Sequence, residues 1–355
     1  MIPSDYHHGG ELAHEFKRLG VIPRPVNDFS VNLSPLGPPK PLLDAWPQFS
    51  RSISQYPDKS AGSIQSYYQQ IYGLEADRVV PLNGSIEGIY LWPKGLNIKK
   101  ALLPTPCFFD YHGALKMAGV EVTVFPLSLD QGFQCDQLGG MIGGHDAVIL
   151  GSPNNPTGRG IDKERLQRWV QQFPGTQFLV DQAFVELGPD PDRFRLFDLE
   201  EPNLWLLHSL TKEYAIAGLR AGALICPPCR SRELSGLLPP WRIGGAVLEA
   251  VSLLAEQQDY REELKRLLDR ERVRLIKAFE GLGCVQLVPT DANFFLGLWL
   301  GRGGLDDLLR RALEAGFALR DARNFSGLDG PYFRFAIKKA EDNEQLIQFF
   351  YSNNQ

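Results

Sequence analysis

Leu204-Trp205-Leu206-Leu207-His208-Ser209-Leu210-Thr211-Lys212, followed closely by Gly218-Leu219-Arg220, is the stretch that decides how this chain is read. Four apolar residues in a row predict a strand buried on both faces, as strands are in a parallel sheet covered by helices. Polar chemistry begins where that strand stops. Ser209 stands three residues before Lys212, and Arg220 eight residues after it. A lysine amine can condense with an aldehyde, while a hydroxyl and a guanidinium fork can hold a phosphate. Together they suit pyridoxal phosphate. A solvated loop lysine would account for Lys212 alone, so the rest of the chain has to decide.

Outward from this stretch, apolar runs alternate with helical ones. Seven candidate strands are residues 79–82, 100–103, 120–125, 147–150, 177–180, 204–207 and 221–225, with helices between them such as residues 163–173, introduced by Asp162 as an N-cap. This pattern predicts an α/β large domain over residues 51–240, with a mostly parallel seven-stranded sheet flanked by helices. Residues 1–50, rich in Pro and Gly around Ser34-Pro35-Leu36-Gly37-Pro38-Pro39, read as an extended arm together with a segment of the smaller domain. In residues 241–355, Leu264, Leu267, Leu268, Leu275, Ile276 and Phe279 predict one long amphipathic helix within 246–282. Strand-like runs at 293–299, 317–320 and 332–337 and helices at 305–315 and 344–350 complete a smaller α+β domain.

Composition narrows the function. The chain has 355 residues, 43% hydrophobic and 22% charged, with a formal net charge of -5. That balance argues against a nucleic-acid partner, and an anionic substrate would need a local cluster of arginines. No apolar run is long enough to span a bilayer. Asp5, Glu11 and Glu15 interrupt any secretory leader, and the five cysteines are odd in number, so a cytoplasmic location is expected. Cys226-Pro227-Pro228-Cys229 lacks a second ligand pair, so no metal is expected and a turn is the simpler reading.

Two further segments end strands of the same sheet. Pro153-Asn154-Asn155-Pro156-Thr157-Gly158 follows the strand closing at Leu150, where open α/β sheets place ligands, and an Asn amide there can donate to a ligand oxygen. Asp181 follows Phe178-Leu179-Val180, and its carboxylate can pair with a protonated pyridine nitrogen. With these residues in place, the chain resembles the fold-type-I pyridoxal-phosphate enzymes of the aminotransferase superfamily over almost its whole length. The resemblance implies that Lys212 forms the Schiff base, Asp181 binds the ring nitrogen and Asn155 the ring 3'-oxygen. It implies that Ser209, Arg220 and the backbone at Gly84 and Ser85 hold the phosphate, and that Phe108 stacks on the ring. It further implies a homodimer in which Tyr56 is lent to the partner's phosphate site, and a substrate carboxylate gripped by Arg334.

Within that superfamily, His8-Gly9-Gly10, Asp28-Phe29-Ser30-Val31-Asn32, Pro240-Trp241 and Asn324-Phe325-Ser326-Gly327-Leu328-Asp329 resemble the threonine-phosphate decarboxylases of cobalamin biosynthesis. What this implies is a small phosphorylated amino-acid substrate, its carboxylate oriented by Arg334 and Asn32, its phosphate received by Arg320, His8 and Asn324. Phe184 stands where the related aminotransferases, including those for histidinol phosphate, typically carry a tyrosine. Gln182 departs from the usual Glu. Arg320 and Arg323, close to Arg334, point to anion binding in a net-acidic chain.

Overall fold

The computed structural model describes residues 8–353, so the first seven residues of the expected arm lie outside the described residues. Seven strands form the main sheet: β1 (Val79–Asn83), β2 (Lys100–Thr105), β3 (Glu121–Pro126), β4 (Ala147–Gly151), β5 (Gln177–Asp181), β6 (Leu204–Ser209) and β7 (Ala221–Ile225). Their order across the sheet is β1-β7-β6-β5-β4-β2-β3. Only β7 runs against its neighbours, pairing antiparallel with both β1 and β6. Burial follows from this topology: every residue of β4, β6 and β7 is buried, because helices cover both faces.

A second sheet is antiparallel. β8 (Val285–Leu287), β9 (Phe294–Trp299), β10 (Arg320–Asp321) and β11 (Tyr332–Ala336) lie in the order β10-β11-β9-β8. Its core is aromatic: Phe279, Phe333, Phe335 and Phe350 pack on one another, stacked except for the edge-on Phe279–Phe350 pair, with centroids 5.0 to 6.0 Å apart.

Four regions differ from expectation. The long helix is broken into Gly245–Ser252 and Gln258–Glu280. Side chains take over the carbonyls exposed at the break: Gln257 Nε2 donates to Leu253 O at 2.9 Å, and Arg261 to Leu254 O at 3.2 Å. The run 317–320 is not one strand. Phe317–Ala318 pairs with Asn27–Asp28, and Arg320 and Asp321 join β11 instead. The arm is not merely extended. Its helix Leu12–Leu19 buries Phe16 against Leu313 and Ala318, and helix Lys40–Ala45 follows. Asp162 does precede helix Lys163–Gln172, but its carboxylate accepts from Arg193 Nε at 2.6 Å rather than capping.

Among the described residues no helix is long and apolar enough to cross a membrane. No group of His, Cys, Asp and Glu among them could hold a metal ion. Cys226 is buried, Cys229 is exposed, and neither is bridged.

Candidate active site

Three parallel strands stop at one level: Gly151 of β4 pairs with Asp181 of β5, and Asp181 with Leu207 of β6. The turn after Gly151, Asp181 itself, and the Ser209–Lys212 segment therefore meet at one edge of the sheet. Strand β7 starts opposite the end of β6, with Ser209 facing Gly222, so Arg220 reaches the same edge from the other direction. Strand β1 ends with Asn83 beside Ala221, which brings Gly84 and Ser85 there too. A cavity at this edge is lined by Ser85, Phe108, Asn155, Asp181, Ser209, Lys212 and Arg220, with Tyr111 and Phe184.

Asp181 is buried at the bottom of the cavity wall. Its Oδ2 accepts from Tyr111 OH and its Oδ1 from Ala183 N, both at 2.9 Å. Burial nevertheless holds the carboxyl above its ordinary range, against those hydrogen bonds and the nearby Lys212 charge. A desolvated carboxylate in this state gains from a cationic partner. Lys212 is half-buried. Desolvation first, then the guanidinium charges of Arg334 and Arg220, push its amine down to about 8, with Asp181 opposing. Its Nζ lies 5.9 Å from the centre of the Phe184 ring.

The anion end of the cavity is built from backbone. Gly84 has φ 75°, and helix Ser85–Gly95 begins directly after it. A Cβ at Gly84 would overlap the Arg220 guanidinium, so only glycine lets the helix start and the arginine come together. The first N–H groups of a helix lack internal partners and favour negative charge. Arg220 itself is held at φ 59°, a conformation costing a non-glycine residue about 1–3 kcal/mol. A cradle of this kind, with Asp181 and Lys212 farther in, fits pyridoxal phosphate. Asn155 accepts from Arg334 Nη1 through its amide oxygen, which leaves its NH2 to donate.

A second cavity shares Ile86, Phe108, Asn155, Phe184, Lys212 and Arg220 with the first and adds His8, Ser30, Asn32, Asp110 and Arg334. Arg334 is buried, donating through Nη2 to Ser30 O at 3.0 Å. Asn32 is 4% exposed, and its buried Oδ1 has no hydrogen-bond partner. Arg320 stands directly opposite Arg334 on neighbouring strands, each only 5% exposed. Like charges placed opposite one another cost stability, and an anion bound beside the pair would lower that cost. Arg320 donates to Asn324 Oδ1 at 2.9 Å and lines a cleft with His8, Gly9 and Ser30 that adjoins the second cavity.

Some residues lie elsewhere. Tyr56 lines neither cavity; it is 84% exposed, with its ring 5.1 Å from that of Trp241. Arg323 corrects the expectation of a second anion-binding arginine: it is tied to Asp321 at 2.6 Å and Asp306 at 2.5 Å on the surface. Gln182 points away from the site, donating to Phe194 O at 2.7 Å and accepting from Leu196 N at 3.1 Å. Cys107 neighbours Phe108, but burial pushes its thiol up to about 12, so it is no nucleophile at neutral pH. Sequence reading missed Tyr111 and Asp110. Tyr111 lies three residues after Phe108, one helical turn, and that spacing could have found it. Asp110 carries no such signal.

Residues 25–350 match the family model for aminotransferase class I and II. The chain is 29% identical over 345 residues to threonine-phosphate decarboxylase of Salmonella typhimurium, covering 96% of this chain and 94% of that protein. It is 31% identical to the adenosylcobalamin biosynthesis bifunctional protein CobDQ of Leptospira interrogans, over 97% of this chain and 40% of that protein. Among solved structures, histidinol-phosphate aminotransferase from Clostridium acetobutylicum is similar with a TM-score of 0.85 and 26% identity, covering 92% of this chain and 98% of that one. The strand-end edge that carries Asp181 and Lys212 lies well inside the matched span, and this chain belongs to the aminotransferase class I and II family.

Proposed function

We propose that this protein is a pyridoxal-phosphate-dependent decarboxylase that converts L-threonine O-3-phosphate to (R)-1-amino-2-propanol O-2-phosphate and CO2, a step of cobalamin biosynthesis. The observation that carries the reading is the buried Arg320–Arg334 pair on adjacent strands, beside the cavity that holds Lys212. A substrate with both a carboxylate and a phosphate supplies one anion to each arginine. The similarity to the Salmonella typhimurium enzyme supports the same substrate.

Lys212 would carry the cofactor, Asp181 would hold a proton on the ring nitrogen, and Asn155 would donate to the ring oxygen. Ser209, Arg220 and the helix start at Gly84 and Ser85 would hold the cofactor phosphate, with Phe108 against the ring. When bound, pyridoxal phosphate supplies an electron sink beside the substrate's Cα. Arg334, with Asn32, orients the substrate carboxylate. Arg320, Asn324 and His8 receive its phosphate. Loss of CO2 leaves Cα needing one proton, and the Lys212 amine, brought down to about 8, can carry and release one near neutral pH. Phe108 and Phe184 keep water from the reacting face.

Phe184 lies against Lys212 and offers no hydroxyl, which favours decarboxylation over transamination of histidinol phosphate. The arm to residue 50, the large domain over 51–240 and the smaller domain over 241–355 would work as a cytoplasmic homodimer, with Tyr56 serving the partner's site. The direct experiment is incubation of the purified protein with pyridoxal phosphate and threonine phosphate. CO2 and an amino-alcohol phosphate are the expected products; a keto acid formed with an added amino-acceptor would instead make the protein an aminotransferase.

A further inference from the structure

We propose that Asp110 is a positioning residue that draws His8 over the substrate cavity, where a carboxylate beside the imidazole favours its charged form as the substrate phosphate arrives. This rests on the substrate reading above, and it assigns a role to a carboxylate that reading does not use.

Asp110 sits in helix Phe109–Met117, one residue past the start, and is 5% exposed. Its two oxygens are treated differently. Oδ1 accepts from Tyr90 OH at 2.8 Å, which fixes the carboxylate plane. Oδ2 is buried without a hydrogen-bond partner, and Asp110 lines the same cavity as Lys212, Arg220 and Arg334. A bare carboxylate in a cavity built for anions repels the ligand unless something neutralises it. Among the described residues, the basic side chain that reaches that oxygen is His8, whose Nε2 lies 3.8 Å away. The His8 ring also lies 5.9 Å from that of Phe108.

The arm is held so that His8 arrives there. Gly10 N donates to Ser30 Oγ at 2.8 Å. A Cβ at Gly9 would overlap the Ser30 carbonyl oxygen, the same oxygen that accepts from Arg334. His8 N donates to Glu11 Oε1 at 3.0 Å. Among the described residues, Asp110 and Glu11 favour the His8 charge, and Arg320 and Lys212 oppose it. Burial acts first and leaves the imidazole below its ordinary range, with the two carboxylates working against that fall. Glu11 is tied to the arm itself, whereas Asp110 belongs to the large-sheet side and ties the charge to the cavity.

The test uses the full-length holoenzyme. The His8 titration is followed by proton NMR, its signal assigned by its loss in His8→Gln. Asp110→Asn should lower the His8 midpoint by about half a unit to one unit. The KM for threonine phosphate should rise about three- to tenfold with kcat little changed, most steeply at the alkaline end. Asp110→Glu should restore much of both. Tyr90→Phe, which frees the carboxylate to turn, should move the midpoint the same way by less, and it decides the matter if Asp110→Asn does not fold. A His8 midpoint unmoved in folded variants overturns the proposal. So does a KM rise in Asp110→Asn that adds in full to that of His8→Gln. The NMR arm reads the Asp110–His8 link even if threonine phosphate proves not to be the substrate, so the two ideas can fail separately.

Discussion

In the proposed function Lys212 and Asp181 face opposite requirements within one wall: the amine would have to be neutral to attack an aldehyde, and the carboxyl charged to hold a pyridinium. Burial alone moves both toward neutrality, and the structure corrects only the second. Tyr111 OH and Ala183 N stabilise the Asp181 carboxylate, while Arg334 and Arg220 push Lys212 further toward the free amine. With its midpoint near 8 rather than at the ordinary lysine value, Lys212 is mostly protonated below pH 8 and mostly free above it. The rate of pyridoxal phosphate uptake by the apoprotein should rise about tenfold per pH unit up to pH 8 and level off beyond it, as read by the growth of the cofactor's visible absorbance. A rise continuing to pH 10 would mean that the amine is exposed to water. At this scale the sequence was informative where chemistry is local. Lys212, Asp181 and Asn155 each announced themselves by following an apolar run. Asp110 did not, because a free carboxylate oxygen is a property of what fails to come near it.

At the scale of elements, the described part of the arm is closely fitted at its start. The pair Gly9-Gly10 threads against Ser30, and the space there admits no side chain at position 9. Gly9→Ala should therefore displace the arm while leaving the distant sheet intact. The expected result is a KM for threonine phosphate raised about tenfold or more, faster tryptic cleavage at Lys17 and Arg18, and unchanged cofactor absorbance. Six of the seven strands of the main sheet were readable because their apolar runs are continuous and buried; in the edge strand β3 only Phe125 is buried. What escaped was decided by partners far away in sequence. The break before Gln258 depends on Arg261 turning back to Leu254 O, and the split after Ala318 depends on which strand lies on each side. Neither leaves a mark in hydrophobic periodicity.

At the scale of the whole molecule, Tyr56 is outside its own chain's cavities and lies on the surface against Trp241, with Lys59 Nζ 4.7 Å above that indole. If it completes a partner's site, two inactive variants should rescue each other. Mixed dimers of Lys212→Ala and Tyr56→Ala contain one site with both defects and one with neither. Co-expression should recover about half the activity of the native dimer per mixed dimer, and sedimentation should show a dimer. Failure of rescue in confirmed mixed dimers would place Tyr56 outside the reaction.

The hydrogen bond from Arg334 to Asn155 joins a strand of the small sheet to the turn that follows β4. On the proposed assignment, whatever grips that arginine would pull on the group that faces the vitamin's oxygen. Specificity and colour would then be mechanically geared: altering the molecule this pocket admits, even by a remote change in the small sheet, would retune the electronics of the prosthetic group.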